Sequence, residues 1–173
     1  MSVDALTAAI RDVPDFPKPG ILFKDITPIL ADARLLGQAV DLMAARHRGR
    51  TVDKVAAVEA RGFIFGVAVA RALDVGFVPI RKSGKLPYKT VEASYDLEYG
   101  SATLAVHEDA VGPDEHILLI DDLLATGGTA AAAIGLIEQL GGKVTAADFL
   151  IELDFLNGRE KLGGYDVFSH IHF

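Results

Sequence analysis

A chain of 173 residues, half of them hydrophobic, has the length and apolar content for one compact domain with a sizeable core, and is too short for two full ones. Its 17 basic and 24 acidic residues leave a formal net charge of −7, a balance that repels nucleic acid and anionic membrane surfaces at long range. The lack of cysteine excludes disulfides, thiolate metal sites and cysteine nucleophiles. With no basic-then-apolar leader pattern at the N-terminus, and no apolar run near the ~18 residues of a membrane span, the expectation is a soluble, cytoplasmic protein.

Ser2-Val3-Asp4 reads as a helix start, with Leu6, Ile10 and Val13 as its apolar stripe and Pro14 as its end. In "PDFPKPGILFKDITPIL", prolines 14, 17, 19 and 28 with Gly20 favour extended backbone, so this segment is expected to be ordered but irregular. Asp32 is placed to cap a second helix running to about His47, with Leu35, Leu36, Val40 and Met43 facing inward. Residues 54–59 read as a buried strand, "ARGFIFGVAVARAL" as a helix and residues 76–80 as the next strand. From Lys82 the pattern changes. Residues 82–93 are polar, basic and weakly patterned, which suits a lid, and period-2 alternation over 95–100 and 102–106 predicts an antiparallel hairpin turned by "EYGS". Residues 117–120 form an apolar run into two acids, a glycine turn and an Ala-rich helix; residues 143–152 read as a further strand.

Strands alternating with helices predict an α/β fold, a doubly wound and mainly parallel sheet whose ligands sit at the carboxyl ends of the strands. Polar clusters occupy those ends: "EARG" from Glu59, "RKSGK" from Arg81, and Asp121-Asp122 with Thr126-Gly127-Gly128-Thr129. The glycine turn fits neither the G-x-x-x-x-G-K-[ST] nor the G-x-G-x-x-G fingerprint, which removes a P-loop nucleotidase and a dinucleotide site. What remains is a short nest from Ala125 to Thr129, where backbone N–H groups at a helix start suit one terminal phosphate monoester. Gly128 is expected to permit close backbone approach or a positive φ. Two carboxylates beside a phosphate cannot bind it usefully, but they accept hydrogen bonds from neighbouring hydroxyls. A sugar phosphate satisfies both halves. The five histidines, 47, 107, 116, 170 and 172, show no zinc spacing, with His170-x-His172 in a tail, and no G-x-S-x-G elbow supports a serine hydrolase.

"ILLIDDLLATGGT" resembles the phosphoribosyl-pyrophosphate (PRPP) motif of type I phosphoribosyltransferases. "PDFPKPGILFKDITPIL", "EARGFIFG", "IRKSGKLP" and "ASYDLEYG" narrow the resemblance to the adenine-specific family, over roughly residues 10 to 165. That resemblance implies a single domain over 1–173, with a small N-terminal hood from about 12–31 and a flexible lid hairpin from about 82–100. It implies the reaction of adenine with PRPP to give AMP and pyrophosphate, with Mg2+ carried by PRPP, in a cytoplasmic homodimer. By the same carry-over, Ala125, Thr126, Gly127, Gly128 and Thr129 hold the 5′-phosphate, and Asp121 and Asp122 the ribose hydroxyls. Arg61, Arg81, Lys82 and Lys85 hold pyrophosphate; Leu22, Phe23 and Lys24 take adenine; Glu98, beside Tyr99, is the acid–base residue. Lys24 stands where some relatives have arginine, a change that main-chain reading of the base would tolerate. The rivals are a xanthine or hypoxanthine transferase and a PRPP-sensing regulator without turnover.

Overall fold

The computed structural model describes residues 3–96 and 101–173, and the chain divides into two compact units, Met1–Leu42 and Met43–Phe173. In the first, helix α1 spans Asp4–Ala9 and ends at Ile10, which is already extended. The expected helix to Val13 is therefore too long. Arg11–Pro14 form strand β1, antiparallel to β2 (Leu22–Asp25), in a register from Arg11↔Asp25 to Pro14↔Leu22. Pro14 pushes Val13 out of the helical region, and pairing with β2 holds Arg11 to Pro14 extended. The segment expected to be irregular is thus a two-stranded ribbon. Gly20 turns it at φ +87, and its N–H donates to Asp15 Oδ1 at 2.8 Å. Asp25 accepts both the N–H and the hydroxyl of Thr27, at 2.9 and 2.8 Å, which anchors the first turn of α2 (Thr27–Ala31). Leu6, Ile26 and Ile29 are buried.

Asp32 begins α3 (Ala33–His47) as expected, its Oδ1 accepting the N–H groups of Arg34 and Leu35 at 2.8 and 3.0 Å. The buried stripe is Leu35, Ala39, Met43 and His47, spaced four apart on one helix face; Leu36 and Val40 are only partly buried.

The second unit continues with β3 (Lys54–Val58), α4 (Arg61–Leu73), β4 (Gly76–Lys82), β5 (Thr90–Asp96), β6 (Ser101–His107), β7 (His116–Leu124), α5 (Gly128–Gln139), β8 (Lys143–Glu152) and β9 (Val167–His172). These strands form one sheet in the order β5-β6-β4-β3-β7-β8-β9. From β4 to β9 the neighbours are parallel, and β6 is antiparallel to both β4 and β5. Ala56 and Val58 of β3 join a core cluster with Ala133, Ile134 and Ile137 of α5, while Gly66 of α4 lies against Ala57. Adjacent strand residues point to opposite faces, so α4 and α5 cover opposite sides of the sheet. That is the doubly wound arrangement, and it accounts for the near-continuous apolar runs of β3 and β7.

Two boundaries differ from expectation. Residues 90–93, weakly patterned in sequence, already belong to β5, because the inward alternation begins with Val91 and Ala93 before it reaches Tyr95. His170-x-His172 lies in edge strand β9, whose polar residues hid its period. There the fully buried Asp148 of β8 accepts hydrogen bonds from His47 Nε2 at 2.7 Å and His170 Nε2 at 2.8 Å. Among the described residues no helix is long and apolar enough to cross a membrane.

Removing that acceptor strands two imidazole N–H groups away from water, each at about 1–3 kcal/mol. Asp148→Ala is expected to lower the urea midpoint strongly, and Asp148→Asn less. Unchanged midpoints would show that the two imidazoles find other partners.

Candidate active site

Strand register assembles the site. Ala57 of β3 stands opposite Ile120 of β7, and Val58 opposite Ile80 of β4, so the end of β3 lies beside the last residues of β4 and the carboxyl-terminal half of β7. One residue beyond each pair come Glu59, Arg81 and Asp121, brought from distant parts of the chain to a single edge. There a cavity of about 420 Å3 is lined by Glu59, Arg61, Asp121, Asp122 and the turn 125–129. Every residue assigned from sequence to the phosphate and the ribose is therefore in it, together with Arg61.

Glu59 was not singled out as a site residue from sequence, although it opens the quoted "EARG". Its Oε1 accepts the Lys82 N–H at 2.7 Å and its Oε2 accepts from Arg81 Nη2 at 3.2 Å; Arg81 Nη1 in turn donates to the Lys85 carbonyl at 3.1 Å. One carboxylate thus holds the Arg81 guanidinium and the Lys82 main chain, and Lys85 is engaged through its carbonyl; Arg81, Lys82 and Lys85 are not among the residues that line the cavity. Burial alone would raise its pKa, but the Lys82 N–H and the Arg81 guanidinium outweigh that and hold Glu59 below the usual carboxylate range.

Asp121 is displaced the other way. Burial first, and the neighbouring Asp122 carboxylate second, push its carboxyl well above the ordinary value, with Arg61 opposing. Its Oδ1 accepts the Asp122 N–H at 2.9 Å. A Cβ at Gly62 would fall 2.6 Å from Asp121 Oδ1, so any larger residue there would have to push that carboxylate aside. Arg61 Nε pairs with Asp122 Oδ2 at 2.5 Å, joining a residue assigned to pyrophosphate with one assigned to ribose.

The turn departs from expectation in one respect. Gly127, not Gly128, takes the positive φ, +79, as the N-cap of α5. A Cβ at Gly127 would also lie 2.3 Å from the Gly158 carbonyl oxygen. The segment after β8 is thus packed onto the turn, and it exposes Phe155 and Leu156. No sequence signal connected Gly158 with a turn so far away along the chain. The first N–H groups of α5 have no partner within the helix, and its first turn holds no acid, so the turn suits an anion. Thr129 Oγ1 donates to the Tyr95 hydroxyl at 3.1 Å.

Leu22, Phe23 and Lys24 belong to β2 in the N-terminal unit. Phe23 meets Phe16 edge to face at 5.1 Å, and Lys24 Nζ donates to Asp12 Oδ1 at 2.7 Å, which engages the lysine side chain across the ribbon. Glu98 and Tyr99 lie outside the described residues. Among the described residues Glu152, Asp154 and His172 have spacing compatible with a metal, but both Glu152 oxygens already accept from Arg159.

Around these paired acids of β7 and the glycine turn that follows, residues 28–154 match the family model of the phosphoribosyl transferase domain. An adenine phosphoribosyltransferase of Maridesulfovibrio salexigens is 56% identical over 94% of this chain and 95% of its own length. The crystal structure of adenine phosphoribosyltransferase from Thermoanaerobacter pseudethanolicus superposes with a TM-score of 0.97 at 50% identity, covering 99% of this chain and 100% of that one. The enzyme from Giardia lamblia, complexed with 9-deazaadenine, gives 0.95 at 42% identity over 100% and 98% of the two chains. The chain belongs to the adenine phosphoribosyltransferase family.

A carboxyl whose pKa rises on folding stabilises the fold below its unfolded value, about 3.8, and that stability is lost as pH rises through the folded value. Asp121→Asn is therefore expected to raise Tm at pH 7.5 without added substrate, with the gain shrinking as pH falls toward 3.8. A gain that grows on acidification would contradict the direction of the shift. Gly127→Ala should raise the Kd for ribose 5-phosphate at least tenfold by displacing the turn from Gly158; unchanged affinity in calorimetry would remove the turn from the phosphate site.

Proposed function

We propose that this protein transfers the 5-phosphoribosyl group of PRPP to adenine, releasing pyrophosphate and forming AMP. The observation that carries this reading is the single cavity in which Asp121 and Asp122 adjoin the turn 125–129 on one side and Arg61 and Glu59 on the other. The turn takes the 5′-phosphate through the N–H groups of Ala125 to Thr129, and the two aspartates accept from the ribose 2′- and 3′-hydroxyls. Arg61, Arg81, Lys82 and Lys85 receive the pyrophosphate, a denser anion that requires more positive charge than the monoester. Leu22, Phe23 and Lys24 take adenine, with the main chain of β2 reading the base while the Lys24 ammonium stays on Asp12.

In the reaction the bond from purine N9 to the anomeric carbon forms as the bond from that carbon to pyrophosphate oxygen breaks, through a state with oxocarbenium character. The purine imidazole edge gives up one proton, and Glu98 receives or steadies it. Mg2+ arrives with PRPP as part of the substrate and neutralises charge on its pyrophosphate. The protein's share is electrostatic: fixed cations meet the departing anion, and the aspartates hold the ribose in line. Adenine offers an exocyclic amine where oxopurines offer an acceptor, so a site built to receive that N–H rejects them by orders of magnitude. The relative from Giardia lamblia was crystallised with 9-deazaadenine, in keeping with this choice of base. The family resemblance further implies a homodimer in the cytoplasm.

An assay with PRPP, Mg2+ and a panel of nucleobases is expected to show strong preference for adenine, and Glu98→Gln to cut turnover by about a hundredfold with PRPP binding retained. Comparable turnover of hypoxanthine would move the protein to the oxopurine transferases. No turnover with any base would make it a PRPP-sensing regulator.

A further inference from the structure

Tyr95 lies in β5 opposite Ala102 of β6, and its partly buried ring packs against the core cluster that includes Ala133 and Ile134 of α5. Its hydroxyl oxygen is 3.1 Å from Thr129 Oγ1, which donates in that bond. Thr129 stands in the first turn of α5 and lines the cavity beside Gly127 and Gly128. A tyrosine on the hairpin thus reaches the one part of the site that is read as binding the 5′-phosphate.

A threonine hydroxyl has one proton and two lone pairs. As the structure stands, that proton is directed at Tyr95. A phosphate oxygen at the turn can only accept, so Thr129 serves it by turning its proton to the phosphate. The contact with Tyr95 then persists in one direction alone, Tyr95 O–H donating to Thr129 Oγ1. Donation into Oγ1 polarises the outgoing Thr129 O–H and strengthens its bond to the anion. We infer that Tyr95 is a positioning residue for the 5′-phosphate, acting through a hydroxyl relay that runs from Tyr95 to Thr129 to a phosphate oxygen. No bond other than hydrogen bonds forms or breaks. The relay also links phosphate recognition to β5, the strand that precedes Glu98 in the chain. The inference rests on the assignment of residues 125–129 to the phosphate.

The test is a double-mutant cycle of Tyr95→Phe and Thr129→Val, with Kd measured by calorimetry for ribose 5-phosphate, which has the monoester, and for pyrophosphate, which does not report on this subsite. Tyr95→Phe keeps the ring and removes the hydroxyl. It is expected to weaken ribose 5-phosphate about 2- to 12-fold, the equivalent of one neutral hydrogen bond, to leave pyrophosphate unchanged, and to have no further effect in the Thr129→Val background. The KM for PRPP should rise in step while the KM for adenine stays put, and Thr129→Ser should retain the dependence on Tyr95. Equal weakening in both backgrounds, weakening of pyrophosphate as well, or no effect of Tyr95→Phe would overturn the relay. If Thr129→Val also leaves ribose 5-phosphate affinity unchanged, the phosphate assignment itself fails.

Discussion

The parallel register of β4, β3 and β7 is the constraint on which the site depends. Because Val58 pairs with Ile80 and Ala57 with Ile120, β3 ends where β4 and β7 carry Arg81 and Asp121, and Glu59 emerges beside them. Each acid there has a basic partner. Glu59 holds Arg81 and the Lys82 amide, and Arg61, at the start of α4, reaches back to Asp122. A one-residue slip in a parallel pair would send Glu59 to the opposite face and dissolve this lattice of charges.

Glu59 and Asp121 show how local partners decide what burial does to a carboxyl. Both lose hydration, and both would be pushed up by that alone. Glu59 receives a backbone N–H and a guanidinium and stays ionised. Asp121 has a second carboxylate as its neighbour, and the Asp122 N–H and Arg61 only partly offset it. A carboxyl held in this way costs the fold stability once it ionises.

Close packing of backbone does the rest. Gly62 lets the first turn of α4 come against Asp121, and Gly127 lets the segment at Gly158 close over the glycine turn. The turn is therefore the meeting point of three separated segments, the β7–α5 connection, the stretch after β8 and, through Tyr95, the hairpin strand β5.

The sequence by itself determined the α/β class, most strand and helix positions in the larger unit, and the carboxylate pair beside a glycine turn. These follow from local signals: apolar runs, helical spacing, a capping Asp32, a glycine turn after a strand. It misjudged what lacked such a signal. Val13 and Pro14 look like the end of a helix but form a ribbon strand, and polar residues hide β9, because the buried Asp148 requires His170 as a partner and Ser169 accepts from Arg159. Which cation meets which acid was decided only by tertiary structure. Glu59 and Lys82, Arg61 and Asp122, Tyr95 and Thr129, and Gly127 and Gly158 are far apart in sequence, and no local propensity encodes a pairing that exists only once the strands have found their register.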